Sequence, residues 1–501
     1  MSEPKYDTID DVEAKQVFDS SDSLERYPNT LIGRVQRLAA KYSMEVRGIE
    51  RVPEDERTDT SLIQTASFWF STNMLVSSVS VGTIGPLCNL GFWDSMACIL
   101  VFNALGILFA AWCTTFGPLL GMRQMVMSRY WFGFHGAKVY AFLNCVSCVG
   151  WSTINTIVAA QMLHSIGAHG VPPWAGILII TGATLVICMF GHRVVHFYEA
   201  YCWVPSLAVL LVLIARLRMS HAFEVVPMGA GAREAGNVLT FGCALFGGSG
   251  GWGAFACDYV AYKPRNTSRL SLGVVSFVSI YVPMTFCCVI GLCCMMVAHD
   301  GNVYQQYYDS AGIGGIIYAL LAVDALGGFG KFCVVVLALS VIGGTCPDIY
   351  SFVLCLQTVW ERLSRIPRVL WTVLAGALFI GISIPAYYSF EEYMEDFAGV
   401  CGYWIAAFAA LSLTEHYVFK RSYAVYDPEI YDDPAKLPPG IAATAAFLAG
   451  VAGIVIGMDQ SYYAGPLAKY AQGDIGMELG AAFSIVTYLV LRTIEYKRFR
   501  R

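Results

Sequence analysis

Long apolar stretches separated by short polar ones recur from residue 66 almost to the end of the chain, and they set the first expectation. A helix needs roughly 20 apolar residues to cross a bilayer. Twelve stretches reach that length: 66–89, 95–118, 138–164, 172–191, 194–215, 237–260, 271–298, 331–358, 369–388, 396–418, 439–458 and 474–492. The stretch 313–326 is apolar but shorter and glycine-rich, which predicts a re-entrant or surface helix leading into the eighth span. The expected fold class is an all-α polytopic membrane protein with 12 transmembrane helices.

Two of these spans are poorly made for continuous helix. The first reads FWFSTNMLVSSVSVGTIGPLC over 68–88, with Ser77, Ser78, Ser80, Gly82, Thr83, Gly85 and Pro86 in its second half. The sixth contains FGGSGGWGAFACDYVAYKPR over 246–265, where five glycines fall in seven residues beside Trp252. Glycine clusters at mid-span interrupt a helix, and irregular backbone at that depth is tolerated where it lines a cavity. Gly82, Gly85, Gly247, Gly248 and Gly250 are therefore the expected helix breaks. If spans 1–5 and 6–10 are inverted repeats, the two breaks correspond and enclose a central site, with spans 11 and 12 as additions.

The sixth-span glycines also fit G-x-S-x-G and G-x-G-x-x-G. Both motifs need a strand before the glycines and a helix after them. Here apolar membrane sequence stands on both sides, and no His and Asp partners follow. The eight histidines are dispersed over loops and span ends without H-E-x-x-H, so an enzyme is not expected.

Composition agrees: 56% of residues are hydrophobic and 14% charged, where a soluble domain carries about 25% charged. The 17 cysteines lie mostly inside apolar runs, and Cys145-x-x-Cys148 has no matching second pair, so no metal site is expected. With the N-terminus cytoplasmic, predicted inner loops and the C-tail hold 18 Lys and Arg against 5 outside. That bias fits the positive-inside rule and an even number of spans, with both termini cytoplasmic. Arg216, Arg218 and Arg233, in a predicted outer loop, go against it.

Several segments then resemble one family. RGIERVPEDERTD at 47–59, FGPLLGMRQMVMSRYWFG at 116–133, GWSTIN at 150–155, GWGAFACDYVAY at 251–262 and KFCVVVLALS with P-x-x-Y at 331–350 are similar, in order and spacing, to fungal purine-cytosine permeases of the nucleobase-cation-symport-1 family. The resemblance covers roughly residues 45–495. It implies a LeuT-like fold of two five-helix inverted repeats plus two C-terminal helices. It implies a proton-coupled symporter importing a nucleobase or related ring by alternating access. Pyridoxine or a natural-product heterocycle is the alternative substrate, and a sensor that has lost transport a remoter one. The family's binding residues fall here on Ser77 or Ser78, with Ser78 favoured, and on Trp151, Asn155, Trp252 and Asp348; Gly251 is a further expected substrate contact and Pro347 the span-8 break. Physical chemistry agrees with that set. Two indoles suit the faces of a flat ring, and an asparagine one helical turn from Trp151 both donates and accepts along its edge.

The chain departs from these relatives at Gly343-Gly344-Thr345-Cys346-Pro347-Asp348, where they carry an asparagine-rich run. A carboxylic acid replaces an amide, and an ionisable group inside a span is a functional candidate by default. Asp348 and Asp258 are the proton-coupling candidates, with Asp324 and Glu199 behind them. Sodium coupling in this fold uses adjacent span-8 hydroxyls, and only the separated Ser340 and Thr345 are present. The expected organisation is a cytoplasmic tail at 1–60, a transporter core at 61–420, a cytoplasmic loop at 421–438, two further spans at 439–492 and a C-tail at 493–501 in the plasma membrane. The tail is expected to be mobile up to Arg47. No cofactor beyond the co-transported proton and no nucleic acid is expected; the partners are a small heterocycle and the bilayer.

Overall fold

The computed structural model describes residues 48–166, 170–189, 198, 200–299, 301–360, 362, 363, 366 and 368–501. Almost all secondary structure among them is helical. The exception is a two-stranded hairpin, β1 Asp459–Gln460 with β2 Tyr463–Ala464. By length and composition, six described helical segments can cross a membrane: Phe92–Leu120, Arg129–Ile166, Arg269–Met295, Gly327–Val359, Val369–Lys420 and Gly476–Phe499. Val76–Leu87, Pro173–Cys188 and Ile441–Gly457 are shorter apolar helices. Val369–Lys420 contains two of the expected spans, divided at the turn Tyr387–Ser389.

The first span is broken, and its main break precedes its glycines. Helix α1, Leu62–Asn73, is capped by Ser61, whose hydroxyl accepts from the Gln64 amide. It stops because Thr72 and Asn73 both turn side-chain donors onto the Trp69 carbonyl, the local competition that makes these residues poor in helix interiors. Met74 and Leu75 leave helical geometry, and α2, Val76–Val81, begins after them. Gly82 marks a second, milder interruption, since α2 ends at Val81 and the next helix starts at Ile84, whereas Gly85 lies inside that helix. A Cβ on Gly82 would lie 1.9 Å from the Cys288 carbonyl oxygen, and one on Gly85 2.5 Å from the Ser95 hydroxyl. They let α2 and α3, Ile84–Leu87, approach their neighbours, the usual work of small residues between membrane helices.

The span-2 helix is α4, Phe92–Thr114. Two short helices, α5 Phe116–Leu120 and α6 Gln124–Met127, lead into α7, Arg129–Ile166. Helices α8, Pro173–Met189, and α9, Trp203–Met219, follow. The predicted fifth span, 194–215, lies partly outside the described residues. On α9, Arg216 donates to the Leu320 carbonyl at 3.3 Å, a use its position in the sequence did not suggest.

Helix α10, Ala232–Gly251, carries Gly247, Gly248 and Gly250 inside it, so these three are not helix breaks either. Gly247 meets the Ala398 carbonyl and Gly402, and Gly250 meets Ile405. The helix gives way one turn later. Trp252–Ala254 forms a 3-10 turn, Phe255 leaves helical geometry, and a second 3-10 turn covers Ala256–Tyr259.

Next come α11, Arg269–Met295, and α12, Val303–Leu321. Residues 313–321, expected in a re-entrant or surface helix, are buried, with Gly312 and Gly314 set against Gln161 of α7. Helix α13, Gly327–Ser340, joins α14, Ile342–Val359, at Val341. Pro347 sits inside α14 and does not break it. The chain finishes with α15 Arg368–Ala386, α16 Phe390–Thr414, α17 Ile441–Gly457, α18 Pro466–Ala471 and α19 Gly476–Phe499. Helix α10 packs between α4 and α16, while α7 packs against α14. None of the 17 cysteines forms a disulfide, and nearly all are buried.

Candidate substrate-binding site

A cavity opens where the two interrupted spans meet α7 and α14. Its empty space, with the open mouth included, is about 680 Å³. All six expected substrate residues line it: Ser78, Trp151, Asn155, Gly251, Trp252 and Asp348. Gly247 and Gly248 also reach the wall, whereas Gly82, Gly85, Gly250 and Pro347 do not.

Glycine makes room here. Nothing stands within 4 Å of where a Cβ on Gly251 would lie, and a Cβ on Gly248 would come within 3.3 Å of the Trp151 ring. The two indoles are braced from behind. Trp252 meets Trp69 of α1 edge to face, centroids 5.4 Å apart at 84°. Trp151 meets Phe397 of α16 the same way, at 5.5 Å and 75°. Such pairs hold rings in place while leaving a face free.

Polar groups on the wall divide into two sets. Thr72, Asn73, Asn144 and Ser147 are tied to protein: Asn144 Nδ2 donates to Ser351 Oγ at 3.1 Å, and Ser147 Oγ accepts from Trp404 Nε1 at 3.0 Å. Asn155 and the hydroxyls of Ser77 and Ser78 have no side-chain hydrogen bond among the described residues. Asp348, 5% exposed, accepts from Ser152 Oγ through Oδ2 at 3.2 Å. Its Oδ1 has no partner among the described residues. Buried polar groups normally find partners, so these free groups on a cavity wall mark where a ligand makes its bonds.

Asp258 is not at this site. Its Oδ1 accepts from the Gln124 amide at 2.8 Å, and its carbonyl takes a bond from Arg123 at 2.7 Å. It thereby caps α6 and fastens the end of span 6, away from the cavity wall. Lys263, five residues on, pairs with Asp59 at 3.0 Å. The Asp324 side chain and Glu199 lie outside the described residues.

Asn144, Ser147, Cys148 and Met284 also line the cavity and went unnoticed in the sequence. For α7 the signal was available: 144, 148, 151 and 155 follow helical spacing along one face. Met284 carries no such mark.

Residues 51–473 match the family model described as a permease for cytosine/purines, uracil, thiamine and allantoin. The chain belongs to this permease family. The permease is 43% identical to the purine-cytosine permease fcyB of Emericella nidulans, over 95% of this chain and 93% of that one. It is 40% identical to FCY2 of Saccharomyces cerevisiae, over 94% and 90%. The vitamin B6 transporter TPN1 of the same yeast is 30% identical, over 94% and 91%. Its fold is that of Mhp1, a nucleobase-cation-symport-1 family transporter solved in a closed conformation with bromovinylhydantoin bound. The TM-score is 0.68 at 13% identity, with 91% of this chain and 97% of that chain covered. The LeuT-like architecture expected from the sequence is thus the one found.

Proposed function

We propose that this permease is a proton-coupled symporter that brings a nucleobase or related nitrogen heterocycle, of cytosine or purine type, into the cell by alternating access. One observation carries the reading. Two indoles and the uncommitted groups of Ser78, Asn155 and Asp348 converge on one cavity at the interruption of two spans. Rings of this class offer two π faces and an edge of donors and acceptors. A site whose polar groups wait for that edge rejects ligands that leave them unpaired. The named activities of fcyB and FCY2 support the same substrate class. TPN1 is the more distant relative, which ranks pyridoxine behind the nucleobases.

The proton is favoured over sodium because span 8 offers no adjacent pair of hydroxyls, only the separated Ser340 and Thr345. Ser340 donates to Leu337 O at 2.7 Å and accepts from the Val76 amide at 3.2 Å, while Thr345 donates to Val341 O at 2.9 Å. Asp348 is the titratable carboxyl at the cavity wall. The 18-to-5 distribution of Lys and Arg supports an orientation with both termini cytoplasmic.

The test is uptake. The chain is expressed in cells lacking their own nucleobase uptake, and labelled cytosine, adenine and pyridoxine are followed at two external pH values. Uptake of a nucleobase that falls as external pH rises is expected. Surface-expressed protein that moves none of the three rings overturns the proposal, and pyridoxine alone transfers it to that substrate.

A further inference from the structure

We infer, resting on that nucleobase reading, that Asp348 makes the site selective for rings presenting two neighbouring N–H donors on one edge. The residue is 5% exposed and lines the cavity. Ser152 fills one lone pair of Oδ2 at 3.2 Å, which leaves acceptor capacity on both oxygens. A carboxylate accepts only, and it suits two parallel N–H donors, as it does the fork of a guanidinium. No Lys, Arg or His is among the residues lining the cavity. A buried carboxylate without a partner is costly, so the donors it needs come with the ligand.

Ring chemistry then sorts the candidates. Guanine offers N1–H and its 2-amino group side by side and fits as the neutral molecule. Hypoxanthine lacks only that amino group and keeps one donor. Uracil sets each N–H beside a carbonyl, whose oxygen would face a carboxylate oxygen. Cytosine has an acceptor, N3, next to its 4-amino group, and matches once a proton sits on N3. Cytosine and the coupled proton therefore meet at Asp348, with one proton shared between its carboxyl group and N3.

The titratable groups around Asp348 do not compete for that proton. They are the thiols of Cys148 on α7 and Cys401 on α16, Tyr350 on α14 itself, and Tyr259, whose hydroxyl donates to the Pro347 carbonyl at 3.2 Å. Asp258, beyond Cys148, has its carboxylate on the Gln124 amide. Thiols and phenols are neutral in the acid range where carboxylates titrate.

The experiment measures binding of labelled guanine to the purified full chain, with unlabelled hypoxanthine, uracil and cytosine as competitors at acid and neutral pH. Guanine is expected to bind roughly ten- to hundredfold more tightly than hypoxanthine, the discrimination typical of a bidentate pair. Cytosine affinity is expected to fall as pH rises, while that of guanine holds. In Asp348→Asn an amide offers one donor and one acceptor, which suits the hypoxanthine edge, so the preference collapses toward equality and cytosine loses its pH dependence. Equal affinity of the unaltered chain for guanine and hypoxanthine, or an unchanged ratio in Asp348→Asn, overturns the inference. If that variant does not fold, the ratio and pH dependence of the unaltered chain decide alone. Rings that bind without this preference leave the nucleobase reading standing, whereas a purified chain that binds no ring overturns that reading too.

Discussion

The amide of Val76, first residue after the interruption in span 1, donates to the hydroxyl of Ser340 in span 8 at 3.2 Å. A broken helix frees backbone groups that lipid cannot satisfy, and here a side chain from another span supplies the acceptor. Replacing Ser340 by Ala leaves a buried N–H without a partner, at a cost of about 1–3 kcal/mol. Ser340→Ala is expected to lower the melting temperature of the purified protein and to reduce uptake. Ser340→Thr keeps the hydroxyl and is expected to retain most of both. An alanine variant as stable as the parent would show that water takes over the bond.

The glycines of the broken spans predict two opposite phenotypes. Gly82 has the Cys288 carbonyl 1.9 Å from where a Cβ would stand. Gly82→Ala therefore forces two backbones apart and is expected to cost about 1–3 kcal/mol or more, seen as loss of protein from the cell surface. Gly251 has open cavity in the same direction and ordinary helical geometry. Gly251→Ala is expected to reach the surface normally and to lose ring affinity, because the new methyl occupies ligand space. Equal surface expression of the two variants would refute this division of labour.

Trp252 stands edge-on to Trp69 and turns its remaining surface to the cavity. If a substrate ring stacks there, Trp252→Phe keeps a smaller π face and Trp252→Ala keeps none. Aromatic pairs contribute about 0.5–1.5 kcal/mol beyond the area they bury. The expected order of affinity is Trp, then Phe, then Ala, with the last roughly tenfold or more below the first. Trp151 is expected to behave alike. Competition binding with adenine reads both, and an alanine variant that binds as the parent does would remove the indole from the site.

Much of this was legible in the sequence, and where it was not the reason is physical. Apolar length marked the six described segments that can cross a membrane, because the bilayer imposes that length. Trp151 and Asn155 were legible through their four-residue spacing. The break positions were not. Glycine signals close approach as readily as helix rupture, and in Gly82, Gly85, Gly247 and Gly250 it serves close approach. The sharpest ruptures fall at Met74–Leu75 and Phe255; at the first, Thr72 and Asn73 hold a carbonyl of their own turn, and the tertiary part is Ser340 receiving the Val76 amide from far along the chain. Asp258 illustrates the same limit. Its acidity was visible, but the Gln124 amide it caps lies 134 residues away.

The segment before span 1, expected within a tail at 1–60, supplies the last prediction. Arg57, 4% exposed, donates to three main-chain carbonyls: Val52 at 2.9 and 3.0 Å, Pro118 at 3.1 Å and Leu120 at 3.0 Å. Val52 in turn donates to the Gly121 carbonyl at 2.8 Å. Gly121 is left-handed at φ 66°, and a Cβ there would lie 2.0 Å from the guanidinium. Burial, with Arg51 next in effect, draws the Arg57 pKa below its ordinary value, yet a guanidinium remains charged at any physiological pH. The segment 52–57 is thus strapped onto the loop between α5 and α6. Each buried carbonyl that loses its donor costs about 1–3 kcal/mol, so Arg57→Ala is expected to destabilise the protein by several times that of Ser340→Ala. Lys is a point donor without the planar fork. Arg57→Lys is therefore expected to restore only part of the melting temperature, and full rescue by lysine would show that charge alone, not the geometry of the fork, holds the strap.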